Sequence, residues 1–216
     1  FGSGDIEIVR YNDYSPTLDF SEWTCGITNS IVIKGAITAG GSGGTWGPIY
    51  VHNPATLGGG ITCDSDAYLN ISWGGITVNG PVTCPADKTL KINCNCGNNG
   101  GTLFAATFNK AAEASIVKTG NRNLNLNGVS TNKANTLTIN AGTNLFGTAA
   151  SWAGTNIVVS GGTAVLRVQR VNTIASPETV LKIESGGKLY LDASVVVSEF
   201  WVDGVRQPDG AYGSVD

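Results

Sequence analysis

Three aspartates, Asp64, Asp66 and Asp87, are the nearest candidate in this chain for a cluster of acids that could do chemistry. Carboxylates held close together either bind a calcium ion or raise one another's pKa. A calcium site of that kind would suit a polysaccharide lyase. Aspartate also favours solvated turns, and Asp64 stands beside an expected corner, so a plain corner role is the competing reading. Glycoside hydrolysis has less support, because it needs two carboxyl groups about 5 to 10 Å apart. Between Lys88 and Pro177 the only acid is Glu113. His52 is the single histidine, and no acid close in sequence would orient it as a general base. Gly40-Gly-Ser-Gly-Gly44 precedes no helical pattern and reads as a flexible loop rather than a phosphate cradle. With no serine in a nucleophile-elbow context either, no catalytic constellation emerges and the chain reads as non-enzymatic.

Five cysteines, Cys25, Cys63, Cys84, Cys94 and Cys96, are an odd number, so at most two bridges form within the chain. Cys94-Asn-Cys96 lacks the two-to-four residue spacing of a zinc site. Buried structural thiols or an oxidised pair in a secreted protein fit better.

Aromatic residues give a third kind of site. Trp46-Gly-Pro-Ile-Tyr50 follows the glycine-rich loop and Trp73 precedes Gly74-Gly75, which places these rings at corners. Exposed there, Trp46, Tyr50 and Trp73 would bind carbohydrate by stacking on sugar faces; buried, they would cover a rung of the core.

The elements that would carry these residues are short. Ile61-Thr-Cys-Asp-Ser-Asp-Ala-Tyr-Leu-Asn-Ile71 matches Val82-Thr-Cys-Pro-Ala-Asp-Lys-Thr-Leu-Lys-Ile92 at an offset of 21 residues. The match sets Cys63 over Cys84, Asp66 over Asp87 and Leu69 over Leu90. At strand spacing, about 4.8 Å, the two cysteines fall within the Cα separation a disulfide accepts, or stack unbonded in a core ladder. Apolar-polar-apolar triplets recur at Leu124-Asn-Leu126, Leu137-Thr-Ile139, Ile157-Val-Val159, Leu181-Lys-Ile183 and Leu189-Tyr-Leu191. Glycine turns such as Ser160-Gly-Gly162 and Ser185-Gly-Gly187 separate them. Lys110-Ala-Ala-Glu-Ala114 has helix-forming composition but is too short to stand alone.

Strands this short gain stability by stacking on equivalents above and below, so the pattern favours one parallel β-helix over residues 1–216. A 21-residue coil gives about ten coils and a rod on the order of 50 Å long. A turn-rich β-sandwich is the alternative. Stacking also accounts for Asn121, Asn123, Asn125 and Asn127, whose amides could ladder. Solenoid ends need covers: residues 1–28, with Phe20 and Trp23, suit an N-terminal cap, and residues 195–216, with Trp201, a C-terminal one.

Composition limits the partners. Charged residues make up 13% of the 216, against roughly 25% in ordinary soluble domains. The net charge is -3 and no basic cluster occurs, which argues against nucleic acid. No apolar run reaches the roughly 18 residues of a membrane helix. The lack of methionine marks the chain as an expected piece of a longer precursor.

Ser115-Ile-Val-Lys-Thr-Gly-Asn-Arg-Asn-Leu-Asn-Leu-Asn-Gly128 resembles the autotransporter-associated β-strand repeat, with its lysine-threonine-glycine followed by leucine-x-leucine-x-glycine. The tail from Thr179 to Ser214 is similar to the segment that closes such arrays, so the likeness covers roughly residues 115–214. Asn121-Arg-Asn123 departs from it, since the family more often has small residues there. The resemblance implies a right-handed β-helix, secreted or displayed on a bacterial surface as stalk, spacer or adhesive module, with no particular chemistry.

Three readings follow. The first is a secreted or cell-surface structural and adhesive β-helix, contacting polysaccharide or cell surface and assembling into filaments. The second is a carbohydrate-binding accessory region using Trp46, Tyr50 and Trp73. The third is a lyase-like β-helix with calcium on Asp64, Asp66 and Asp87.

Overall fold

The structure is a computed structural model that describes residues 4–9, 18–20, 25–35, 49–51, 55–71, 75–94, 103–109, 114–126, 131–132, 134–147, 150–170, 174 and 178–212. Among these there is no helix, and all pairings between strands but one are parallel. The chain is a β-solenoid. This parallel stacking overturns the alternative β-sandwich, whose sheets are antiparallel.

One sheet lines up, in spatial order, Leu18–Phe20, Ile49–Val51, Ala67–Ile71, Thr89–Cys94, Ser115–Thr119, Thr136–Ile139, Asn156–Ser160, Val180–Glu184 and Glu199–Val202. Val205–Arg206 then pairs antiparallel with the last of these, Trp201 facing Arg206. The other large sheet runs from Ile6–Val9 through Ile31–Lys34, Ile61–Cys63, Ile76–Thr83, Leu103–Asn109, Leu124–Leu126, Gly142–Phe146 and Ala164–Val168 to Lys188–Leu191. Cys25–Ile27 and Ala55–Leu57 join that sheet at Ile76–Thr83. Two of the residues expected to cap the N-terminus, Ile6 and Cys25, therefore begin strands that pair with Ile31 and Ala55.

Ile76–Thr83 explains how a rung turns. Its first half pairs with Ala55–Leu57, while Val82 and Thr83 pair with Ile61 and Thr62. One strand thus runs along two faces of the coil and bends at Gly80. A Cβ there would lie 2.5 Å from the backbone of Gly59 and Gly60, so the corner requires glycine. A third, narrow face holds Thr131–Asn132, Ser151–Trp152 and the bridge from Trp152 to Ile174.

Alternation along each strand puts every second side chain inward. Register then builds columns: Ala67, Leu90, Ile116, Leu137, Ile157 and Leu181 on one line, and Leu69, Ile92, Lys118, Ile139 and Val159 on the next. All are buried in one continuous core. In the other large sheet, Asn144 interrupts the line from Leu124 to Leu166, fully buried with no partner for either amide atom.

The 21-residue match holds only for half a rung. Ile61 faces Val82 as expected, but Leu69 faces Ile92, not Leu90. The corner Pro85 to Thr89 has five residues where Asp64 to Asp66 has three, so the offset grows to 23 beyond it. Because the insertion is even, inward residues stay inward. The asparagine ladder also lies elsewhere than expected. Asn121, Asn123 and Asn125 lie along one rung and cannot stack on one another, and 127 is outside the described residues. The ladder that forms joins Asn93 Nδ2 to Asn70 Oδ1 at 2.8 Å.

Candidate functional site

Asp64 and Asp66 are both engaged by backbone. The Gly35 N–H donates to Asp64 Oδ1 at 2.8 Å, and the Thr89 N–H donates to Asp66 Oδ1 at 2.7 Å. One acid reaches back along the stack and the other forward, so their oxygens serve opposite corners. Asp87 does not sit over Asp66, because Thr89 takes that place. Asp87 occupies a left-handed turn with φ of 59°, closed by the Lys88 N–H on Pro85 O. Among the described residues no three His, Cys, Asp or Glu side chains gather as a metal ion would need.

Cys63 and Cys84 are both buried free thiols, so the bridge expected between them is not formed. Ile61 and Val82 two residues earlier are in register, which makes the thiols rung neighbours. Such a ladder brings side chains close without aligning them for the dihedral a disulfide needs. Burial pushes the Cys84 thiol up to about 11 and the Cys63 thiol higher still, so neither is a nucleophile at neutral pH. Cys94 is buried at the end of its strand.

Of the expected carbohydrate-binding residues, Trp46 and Trp73 lie outside the described residues, as does His52. Tyr50 lies in the strand Ile49–Val51, where its backbone pairs with Asn70.

The sequence pattern drew notice to inward residues; the outward ones build a surface. On the sheet that contains Ser115–Thr119, three adjacent rungs present Ser115, Val117 and Thr119, then Thr136, Thr138 and Asn140, then Asn156, Val158 and Ser160. These nine outward positions carry no charge. Rungs lie about 4.8 Å apart and alternate residues about 6.6 Å apart along the strand, which makes a flat grid of hydroxyls, amides and methyls. Next to it on each side is a lysine over an aromatic ring. Lys91 Nζ stands 5.5 Å from the Tyr68 ring centre, and Lys182 Nζ 5.8 Å from that of Trp201. The line Tyr68, Lys91, Val117, Thr138, Val158, Lys182, Trp201 is continuous in register. Its seven rungs span about 29 Å. The signal was present in the sequence as Thr, Ser and Asn at most of the alternate positions between the inward residues.

Two other features stand out. Lys118, an inward position, is fully buried and donates to the carbonyls of Thr119 at 3.1 Å, Gly120 at 2.7 Å and Ala141 at 2.7 Å. Its burial lowers the amine to about 8. At the C-terminal end a cavity of about 420 Å³ is lined by Leu181, Leu189, Leu191, Val195, Phe200 and Tyr212. Tyr212 packs edge-on against Phe200 with ring centres 5.3 Å apart.

No protein-family model, curated protein or solved structure matches this chain.

Proposed function

We propose that the chain is a secreted or cell-surface module of a bacterial extracellular protein, a right-handed β-helix of about ten coils that serves as rigid spacer and adhesive surface. The observation that carries this reading is the seven-rung line from Tyr68 to Trp201. An unbroken register over a continuous aliphatic core holds it straight, and the three middle rungs of its outward side carry no charge. A flat surface built from stacked rungs suits attachment better than turnover of a small molecule, which needs a concave site with convergent polar groups.

The lyase-like reading loses support because Asp64 and Asp66 already accept backbone N–H groups in opposite directions. End-to-end association remains part of the adhesive reading. Among the described residues Lys188–Leu191 is the last strand of its sheet, and its Tyr190 is 52% exposed. Solution scattering tests the reading: an elongated particle supports a spacer, whereas a compact globule overturns it. Retention of the purified chain on bacterial cell surfaces tests adhesion in the same way.

A further inference from the structure

The geometry points to the partner of this surface: a neutral, β-linked polysaccharide presented as a flat, ordered face, bound across the grid of Ser115, Thr136, Thr138, Asn156 and Ser160. This inference rests on the adhesive reading above and names its ligand class. Three observations carry it, the first being charge. The sequence holds 29 charged side chains, 13 basic and 16 acidic. None of them occupies the nine outward positions from Ser115 to Ser160. Lysines appear only at the borders, each already placed over a ring. An acidic polymer or a lipid headgroup would gain little from such a face, while a neutral polymer leaves no charge unpaired on desolvation.

The second observation is periodicity. The two outer columns, Ser115, Thr136 and Asn156 on one side and Thr119, Asn140 and Ser160 on the other, offer one hydroxyl or amide per rung, about 4.8 Å from the next, and parallel pairing keeps the spacing constant. An extended β-linked sugar chain advances by a similar length per residue, so one donor or acceptor per rung can meet equivalent hydroxyls along the chain. The third is shape. Val117, Thr138 and Val158 form the middle line, and their methyl groups provide the shallow apolar track on which the axial C–H face of a sugar rests. Lys91 and Lys182 end that track, with Tyr68 and Trp201 one rung further out. The Tyr68 hydroxyl is tied to Asn93, which fixes its ring at the border.

The test uses the purified chain and two insoluble neutral polymers, microcrystalline cellulose and chitin, with cross-linked polygalacturonate as the acidic comparison. We expect depletion from solution onto at least one neutral polymer and none onto the acidic one. Thr138→Lys places an ammonium in the centre of the grid and is expected to lower the partition coefficient about tenfold, the change that follows from losing one anchoring contact. Thr136→Lys repeats the test at a second position in case either variant folds poorly. Thr143→Lys lies on the outward side of the other large sheet and is expected to bind like the parent. Absence of depletion by either neutral polymer overturns the inference, as does equal binding by the two grid variants and the parent. A chain retained on cells but on neither polymer ends this ligand assignment and leaves the adhesive reading standing. A compact particle in solution ends the adhesive rod itself.

Discussion

The Lys118 ammonium donates to the Ala141 carbonyl across 2.7 Å, from an inward strand position whose rung neighbours are Ile92 and Ile139. A cation thus stands in an aliphatic column and reaches to its end to tie one corner to the next. Gly120, with φ of 78°, makes that corner, and its carbonyl oxygen finds a donor in Lys118 at 2.7 Å.

Stability should follow this amine. Unfolded, it holds its proton up to about 10.5; folded, it releases it near 8. Between those values the unfolded chain binds more protons, so stability rises with pH, by about 3 kcal/mol if the whole interval is traversed. Denaturation midpoints measured from pH 7.5 to 9 should climb in the parent and stay level in Lys118→Met. A parallel climb in both would remove Lys118 as the cause.

Above pH 9 the thiols act the other way. Cys84 is raised from 9.0 to about 11 and Cys63 further, so the folded chain keeps protons that the unfolded chain loses. Their contribution is complete below pH 9 and declines as the pH climbs toward 11. A Cys63→Ala, Cys84→Ala double variant should show no such decline. In the native parent at pH 7.5, a thiol reagent should leave both cysteines unmodified until denaturant is added.

Asn144 has neither amide atom satisfied between Leu124 and Leu166. Asn144→Leu restores the column and should stabilise the fold by about 1 to 3 kcal/mol, the usual penalty of a buried unpaired polar group. Thermal melts decide the matter, and a lowered midpoint would mean that the amide has a role the aliphatic column does not reveal.

Phe200, not Trp201, is the inward aromatic of the last rung, facing Leu181 and packed edge-on by Tyr212. Fully buried phenylalanines cost about 3 to 5 kcal/mol when cut to alanine, and this half-buried ring should cost about 2. Trp201→Ala should cost less, since its ring lies outward beside Lys182 with Nε1 on Glu199. Equal losses would contradict the assignment of Phe200 as the closing residue.

Asp66→Ala removes the acceptor for the Thr89 N–H and should lower stability by about 1 kcal/mol without altering calcium response. A calcium-dependent melting shift in the parent that disappears in this variant would revive the metal site.

The solenoid was legible from Ile61 and Val82, whose 21-residue offset is their real pairing. Beyond the corner the same offset misled, because local similarity between Leu69 and Leu90 concealed a two-residue insertion that only backbone pairing reveals. Lys118 was hidden for a related reason. Its charge reads as solvent-facing, although its parity with Ile116 marks it as inward, and only the three carbonyls waiting at the corner make that tolerable. The aspartates looked like ligands because sequence cannot tell an oxygen aimed at a cation from one aimed at a neighbouring amide. The outward grid was spelled out in Thr136 and Thr138 but became a surface only once register set them beside Ser115 and Asn156.

The antiparallel strand Val205–Arg206 gives the rod a mechanical polarity. In a parallel stack the inter-strand hydrogen bonds point along the long axis, so a tensile load peels rungs one at a time from an end rather than shearing them together. At the C-terminal end that load must first open a hairpin in which Gln207 N–H also holds Phe200 O, before Glu199–Val202 can lift from Val180–Glu184. Under a pull applied past residue 212, the hairpin is the latch, and its rupture sets the force at which unravelling from that end begins.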